Sequence, residues 1–276
     1  MSSEVNLLSQ ITRRAFIQSG ATTTAATAIS ALKGSEAHAE EQRNSYAVVF
    51  EVRTTAETRT AYLETAKRLR PMLDHIPGFL SIERSVSLSQ EHTILSLSYW
   101  ADEAALVQWR STGEHHAAQQ QGRDSIFADY RLRVGPVIRP NILGGGSIGE
   151  SVHSYNVPPF HPRQFMVIAC VDGLEKPEFI EKWLAQISVN RQGGHAYRSL
   201  ADSRRYFVTL PLSSLSESSE ISQTCKEAFR LGPTEDRASP NLQLIEVERD
   251  YGMELRDQAP QFFPSKQNLN KDERSK

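Results

Sequence analysis

The sequence predicts an α+β fold built from two tandem strand–helix–strand–strand–helix–strand units. Three observations predict it. Over residues 45–139 the apolar period switches between two and about 3.6 residues in that order. The same order returns more faintly over residues 164–254. Between them lies a Gly- and Pro-rich stretch, "PNILGGGSIGESVHSYNVPPFHP", which reads as a linker over residues 140–163.

In the first unit, "SYAVVFEVRT" alternates Val and Phe as a strand does. The segment from Ala56 to Ile76 is helical, with Tyr62, Ala66, Leu69 and Leu73 on one stripe, and Pro71 is expected to kink its last turns. Pro77-Gly78 marks a turn. In the next strand Phe79, Ser81, Glu83 and Ser85 face one way, and Leu80, Ile82, Arg84 and Val86 the other. "HTILSLSYW" is the third strand. "ADEAALVQWRSTGEHHAAQQQ" is the second helix, capped by Asp102, with Ala105, Leu106 and Trp109 as its stripe. "DYRLRVGPVIR" closes the unit.

In the second unit the strand "RQFMVIACVDG" precedes a helix whose first turn suits Pro177. "HAYRSLA" and "RRYFVTLPLSS" pair across a turn. A helix ended by Gly232 and the strand "NLQLIEVERDYGM" complete the plan. The polar tail, residues 255–276, is expected to be disordered. Each unit follows the ferredoxin-like plan, one antiparallel sheet with both helices on one face. The other face must be buried, so the two bare sheets are expected to cover one another. A ligand cavity then belongs between a sheet and its own helices.

The chain's beginning reads as an address. "TRRAFI" matches the twin-arginine export pattern through Arg13 and Arg14, an uncharged Ala/Thr-rich run follows, and Ala37-His38-Ala39 offers a cleavage site after Ala39. Residues 1–39 are therefore read as a signal peptide, and the destination as the periplasm or beyond, with the twin-arginine translocase as a partner during export. The mature chain of about 235 residues suffices for one large domain or two small ones.

A formal net charge of −2 with interspersed signs gives no basic stripe, so nucleic acid is not expected as a partner. No later run is apolar enough for a stable membrane anchor. No Cys/His cluster has zinc spacing, and no metal is expected. The only cysteines are Cys170 and Cys225, and their pairing is left open; Cys170 reads as a buried thiol in a strand.

The segments "IPGFLSIERSVSL", "LSLSYWADEAALVQWR", "EHHAAQQQGR" and "FADYRLRV" resemble the antibiotic biosynthesis monooxygenase family, of the dimeric α+β-barrel group. They cover most of Tyr46 to Val134, about a third of the chain. The resemblance implies an intrachain barrel in which the two units stand in for two subunits; it removes the need for a homodimer and leaves one open. It also implies an oxygenase acting on a small aromatic or quinol-like molecule, with no metal or flavin. The haem-degrading branch uses a first-strand Asn, a Trp on the second helix and a His about three turns on. Trp109 matches, the His position falls at Gln119, and the first strand has no Asn. No cofactor is therefore expected, with haem as the alternative.

Trp109, His115 and His116 lie near one another on the second helix and are the candidate catalytic residues. On a continuous helix Trp109 and His116, two turns apart, share a face, and His115 points about a third of the way round. A histidine there is suited to taking a phenolic proton near neutral pH. Tyr99, Trp100, Arg84, Tyr62 and Phe79 are the candidate substrate contacts. His195, Tyr197 and Trp183 are their analogues in the second unit. Three functions follow: an exported monooxygenase-like oxidoreductase, a non-catalytic carrier of a small hydrophobic ligand, and a haem-binding variant.

Overall fold

The computed structural model describes residues 45–139, 142–144, 163–187, 193–231 and 240–260. Arg13, Arg14, Ala39, Gly232 and most of the linker lie outside the described residues. The elements run β1 (Tyr46–Thr54), α1 (Arg59–Leu73), β2 (Phe79–Ser87), β3 (Thr93–Trp100), α2 (Glu103–Arg110), α3 (Gly113–Gln121) and β4 (Phe127–Arg139). The chain continues with β5 (Gln164–Val171), α4 (Glu178–Ile187), β6 (His195–Ser199), β7 (Tyr206–Leu212), α5 (Glu217–Leu231), β8 (Asn241–Val247) and β9 (Arg249–Gly252).

Eight strands close into one antiparallel barrel. The sheet order is β1-β3-β2-β6-β7-β5-β8-β4, and β4 pairs back onto β1. The four strands of residues 46–139 are adjacent around the barrel, as are β5 to β8. Two joints weld these halves: Ser85 to Ser87 pair with Ser199 to Tyr197, and Val137 and Arg139 pair with Ile245 and Leu244. The expectation of two sheets simply covering one another is thus refined. Their edges also pair, and closure leaves no exposed barrel edge to template aggregation.

The period of two divides the core. Ala47, Val49, Leu95, Leu97 and Tyr99 point into the barrel, where Met166, Ile168, Tyr197, Phe207 and Ile245 meet them. Tyr46, Val48, Trp100 and Val134 point outward, under α1, α2 and α3. On the opposite side Trp183, Ile180 and Ile221 pack α4 and α5 against Val167, Ala169 and Val208. Strand β3 is buried along its whole length because both its faces are covered.

Three local expectations change. Strand-like residues 241–253 split into β8, paired with β5, and β9, paired with β4. The chain changes neighbours at Glu248, whose amide donates to the Val134 carbonyl at 2.9 Å. Residues 255–260, expected to be disordered, fold back. Arg256 donates to the Tyr130 hydroxyl at 2.6 Å, the Gln258 side chain accepts the Asp250 amide at 2.7 Å, and Ala259 is fully buried. The second helix of the first half is two helices. It stops after Arg110, and the Thr112 hydroxyl donates to the Trp109 carbonyl at 2.9 Å. Thr112 is extended, and a new helix starts at Gly113. Pro71 falls in the last turn of α1, which ends at Leu73.

Asp102 caps α2 as expected, its carboxylate accepting the Ala105 amide at 2.8 Å. Asp102→Ala is expected to cost about 1 kcal/mol, read as a lower midpoint in urea unfolding.

Candidate functional site

The outward face of the first four barrel strands, extended by β9, is a floor of aligned rows. One row reads Arg249, Val134, Val48, Ser98, Ile82 across five strands, and the next reads Tyr251, Leu132, Phe50, Ser96, Arg84. Arg84 and Arg249 stand at opposite edges of this floor, four strands apart along the sheet and in neighbouring rows. The fourth strand of the rows, β3, offers only Ser96 and Ser98 here. These small side chains leave a void beneath the helices, a cavity of about 200 Å³.

The roof comes from the helices. Tyr62, Ala66, Leu69 and Leu73 from α1, Leu106 and Trp109 from α2, and His115, Ala118 and Gln119 from α3 face the floor. The α1 stripe is the one that the periodicity predicts. One side is closed by an aromatic cluster in which the Phe127 ring sits 5.7 Å from Phe50 and 5.9 Å from Tyr130. Gly122 permits this, because a Cβ there would lie 2.3 Å from the Phe127 ring. Gly122 begins a short π-helical turn, Gly122–Ile126, that continues α3 into β4.

The helix break decides which histidine reaches the cavity. His115 stacks on Trp109, ring centroids 4.4 Å apart and planes 17° from parallel. His116 does not share the Trp109 face; it is exposed and lines an outer depression instead. The face-sharing expected of Trp109 and His116 is therefore corrected. It assumed one continuous helix, and the extended Thr112 rotates α3 relative to α2.

His115 is half-buried, and its Nδ1 is buried without a hydrogen-bond partner. Burial lowers its pKa to about 4, the nearby Trp109 carbonyl opposing and His116 adding to the shift. The ring is therefore neutral at pH 7. Burial also raises the Tyr62 hydroxyl, against the favourable charge of Arg84 and contact with Ser96. The Arg84 Nε is buried without a partner.

The remaining expected residues divide by strand face. Trp100 lines the cavity, its Nε1 donating to Ser98 Oγ at 3.0 Å. Phe79 packs edge-on against Trp100 at 5.2 Å rather than forming the wall. Tyr99 is one residue out of phase, so it points into the barrel, and its hydroxyl donates to Gln243. Its expected place as a cavity contact is corrected by that period. In the second half His195 and Tyr197 lie 6.4 Å apart, and the Tyr197 hydroxyl donates to Glu51 inside the barrel. Glu51 also accepts Arg133 Nη1 at 2.6 Å. Trp183 packs on Phe229 across the sheet, on the helix side. The structure does not bring these three together, because the helix covers the face opposite to residues 195 and 197.

Sequence reasoning missed the far edge of the floor: Arg110, Arg123, Arg249, Tyr251 and Tyr130 all line the cavity. Arg110 and Tyr130 lie in segments correctly read as helix and strand, so their faces were legible. Arg249 and Tyr251 arrive only through the β4–β9 pairing.

The cavity is below the roughly 300–1,000 Å³ typical of larger ligands, and both His115 and Gln119 line it. Among the described residues no three His, Cys, Asp or Glu side chains group as a metal site. Both cysteines are free, and burial pushes each thiol up to about 12. Among the described residues no helix is long and apolar enough to cross a membrane.

The model of the family described as antibiotic biosynthesis monooxygenase matches residues 45–121. Over 92 residues the chain is 51% identical to jasmonate monooxygenase ABM of Pyricularia oryzae, covering 33% of this chain and 43% of that protein. The match therefore spans less than half of that relative's length. Over 98 residues it is 37% identical to YqjZ of Bacillus subtilis, covering 36% of this chain and 83% of that protein. The solved structure of aldoxime dehydratase OxdRE with butyraldoxime aligns with a TM-score of 0.52 at 11% identity, covering 75% of this chain and 80% of that one. That last likeness is one of fold alone. Through the segment that builds β1 to α3, and with them most of the cavity, this chain belongs to the antibiotic biosynthesis monooxygenase family.

Proposed function

We propose that this protein is an exported oxidoreductase of monooxygenase type that oxidises a small aromatic, quinol-like molecule in the cavity beneath α1, α2 and α3, without metal or flavin. The observation that carries this reading is His115. It is a neutral imidazole stacked on Trp109 in the wall of a largely apolar cavity. Such a group is unprotonated at neutral pH, so it can accept a hydrogen bond from a phenolic hydroxyl and share its proton as the ring is oxidised. The phenolate character so gained makes the ring electron-rich enough to react with O₂. For a ring-activated methylene the balance is CH₂ plus O₂ giving C=O plus H₂O, so the substrate supplies all four electrons. Trp109 holds the imidazole flat against the wall, and Arg84 with Tyr62 orients a substrate oxygen. The Pyricularia relative's name supports the reaction class, and jasmonate belongs among the test compounds.

The test is O₂ uptake by the purified protein with a panel of hydroquinones, anthrone-type methylenes and jasmonate. Uptake proportional to protein and saturable in one compound class is the expected result. A carrier of a small hydrophobic ligand is the second reading, favoured by the His115 ring being already engaged by Trp109. Saturable binding with no uptake would select it.

The described chain is best read as two tandem ferredoxin-like units, residues 45–139 and 164–254, each supplying four adjacent barrel strands. Strand adjacency supports this division. Export is supported by the arginine pair and the Ala-x-Ala site. Replacing both Arg13 and Arg14 by lysine is expected to hold the protein inside the producing cell, and the exported form should begin at Glu40 by mass.

A further inference from the structure

Among the described residues the cavity wall carries four arginines, Arg84, Arg110, Arg123 and Arg249, and no carboxylate. That is a costly lining for a neutral apolar ligand, because a desolvated guanidinium needs an anion or a full set of acceptors. The imbalance is concentrated at the β9 edge of the floor. Arg249 gives Nη1 to Glu103, while its Nε and Nη2 are buried with no partner. Arg110 stands beside it. Burial first, and the charge of Arg249 second, lower the Arg110 pKa, with Tyr251 and Glu103 opposing. Glu103 and Glu248 are the nearby acids, and neither belongs to the wall. Burial and the charge of Glu103 raise the Glu248 pKa, which weakens it as a counter-ion.

We propose that the ligand of this cavity is an organic carboxylate, its acid group held by Arg110 and Arg249 and its apolar body lying along the Ser96–Ser98 floor towards Trp109 and His115. This deepens the oxidoreductase reading and rests on the same cavity. Two guanidinium groups side by side offer the planar donor pairs that match a carboxylate. An outer depression shares Arg110, Gln119, Arg123 and Pro260 with the cavity and adds His116 and Arg256, with Asp124 as the one acid among its described residues. A cationic approach of this kind draws anions inward.

The test compares 1,4-dihydroxy-2-naphthoate with its methyl ester, which share the oxidisable ring and differ in the acid. Binding is read by titration calorimetry, and turnover by O₂ uptake. The acid should bind at least about tenfold more tightly than the ester. Added salt should shrink that advantage, and Arg249→Gln and Arg110→Gln should each remove most of it. Two variants are used because Arg249 also holds Glu103; Arg110→Gln leaves that contact in place. Equal binding of acid and ester, an acid preference that survives both variants, or no binding of either compound overturns the carboxylate assignment. Selective binding of the acid without O₂ uptake upholds the assignment and removes the oxygenase reading. Uptake with both compounds alike does the reverse.

Discussion

His115→Gln is expected to lower kcat for O₂-dependent turnover by about 10²- to 10⁴-fold, the usual contribution of a positioned general base. Glutamine keeps much of the volume and polarity but cannot take the proton. His116→Gln, on the exposed side of α3, is expected to stay within about twofold. Steady-state O₂ uptake on both variants checks the pair. Equal losses, or a loss in His116→Gln alone, would reject the assignment of the base.

The pH dependence follows with a definite sign. The base must be neutral, and its pKa is lowered to about 4. Turnover should therefore be flat from neutral pH down to about 5 and fall as the ring protonates near pH 4. Stability carries the same group. Between pH 6.5 and about 4 the unfolded chain binds this proton and the folded chain does not, so stability falls as pH falls through that window. The full effect is about 3 kcal/mol from the size of the shift. Denaturant unfolding of the parent and of His115→Gln at pH 7 and pH 4.5 should show the slope in the first and a shallower one in the second.

Gly135→Ala is expected to be the most damaging single methyl group in the described chain. A Cβ at Gly135 would lie 1.7 Å from the Glu246 carbonyl oxygen and 2.8 Å from its carbon. These are backbone atoms, so no side chain can swing aside. The site is the point on β4 where its outer neighbour changes from β8 to β9. Relief means parting the seam that closes the barrel and supplies Arg249 to the cavity. A loss of more than about 4 kcal/mol is expected, seen as a collapsed unfolding midpoint or loss of cooperative unfolding. Gly113→Ala is the control. Its Cβ meets nothing within 4 Å, and a change within about 1 kcal/mol is expected.

Much of the site is local and therefore legible. The stripe Tyr62, Ala66, Leu69, Leu73 roofs the cavity because a 3.6-residue period places those side chains together whatever lies beneath. Arg84 and Trp100 reach the cavity by the two-residue period, and the same rule sends Tyr99 away. That alternation names two opposite faces but does not say which one the helices cover, so Tyr99 and Trp100 were inseparable beforehand. The choice between His115 and His116 needed the break at Thr112. "RSTGEHH" contains the cap residues for such a break, yet the same letters are compatible with one helix.

By itself the sequence determined most of the elements and their order, the family resemblance of the first half, and a tryptophan close to a histidine, because each rests on neighbours within a few turns or one strand; the helix break at Thr112 and the split of the last strand it did not. The resemblance already implied a barrel within one chain; only the tertiary structure decided which strand edges close it, that β9 leaves β8 to extend the floor, and that Arg110 and Arg249 both reach its edge. Those outcomes depend on which strand edges pair across more than a hundred residues, and backbone hydrogen bonds carry no side-chain code for their distant partner.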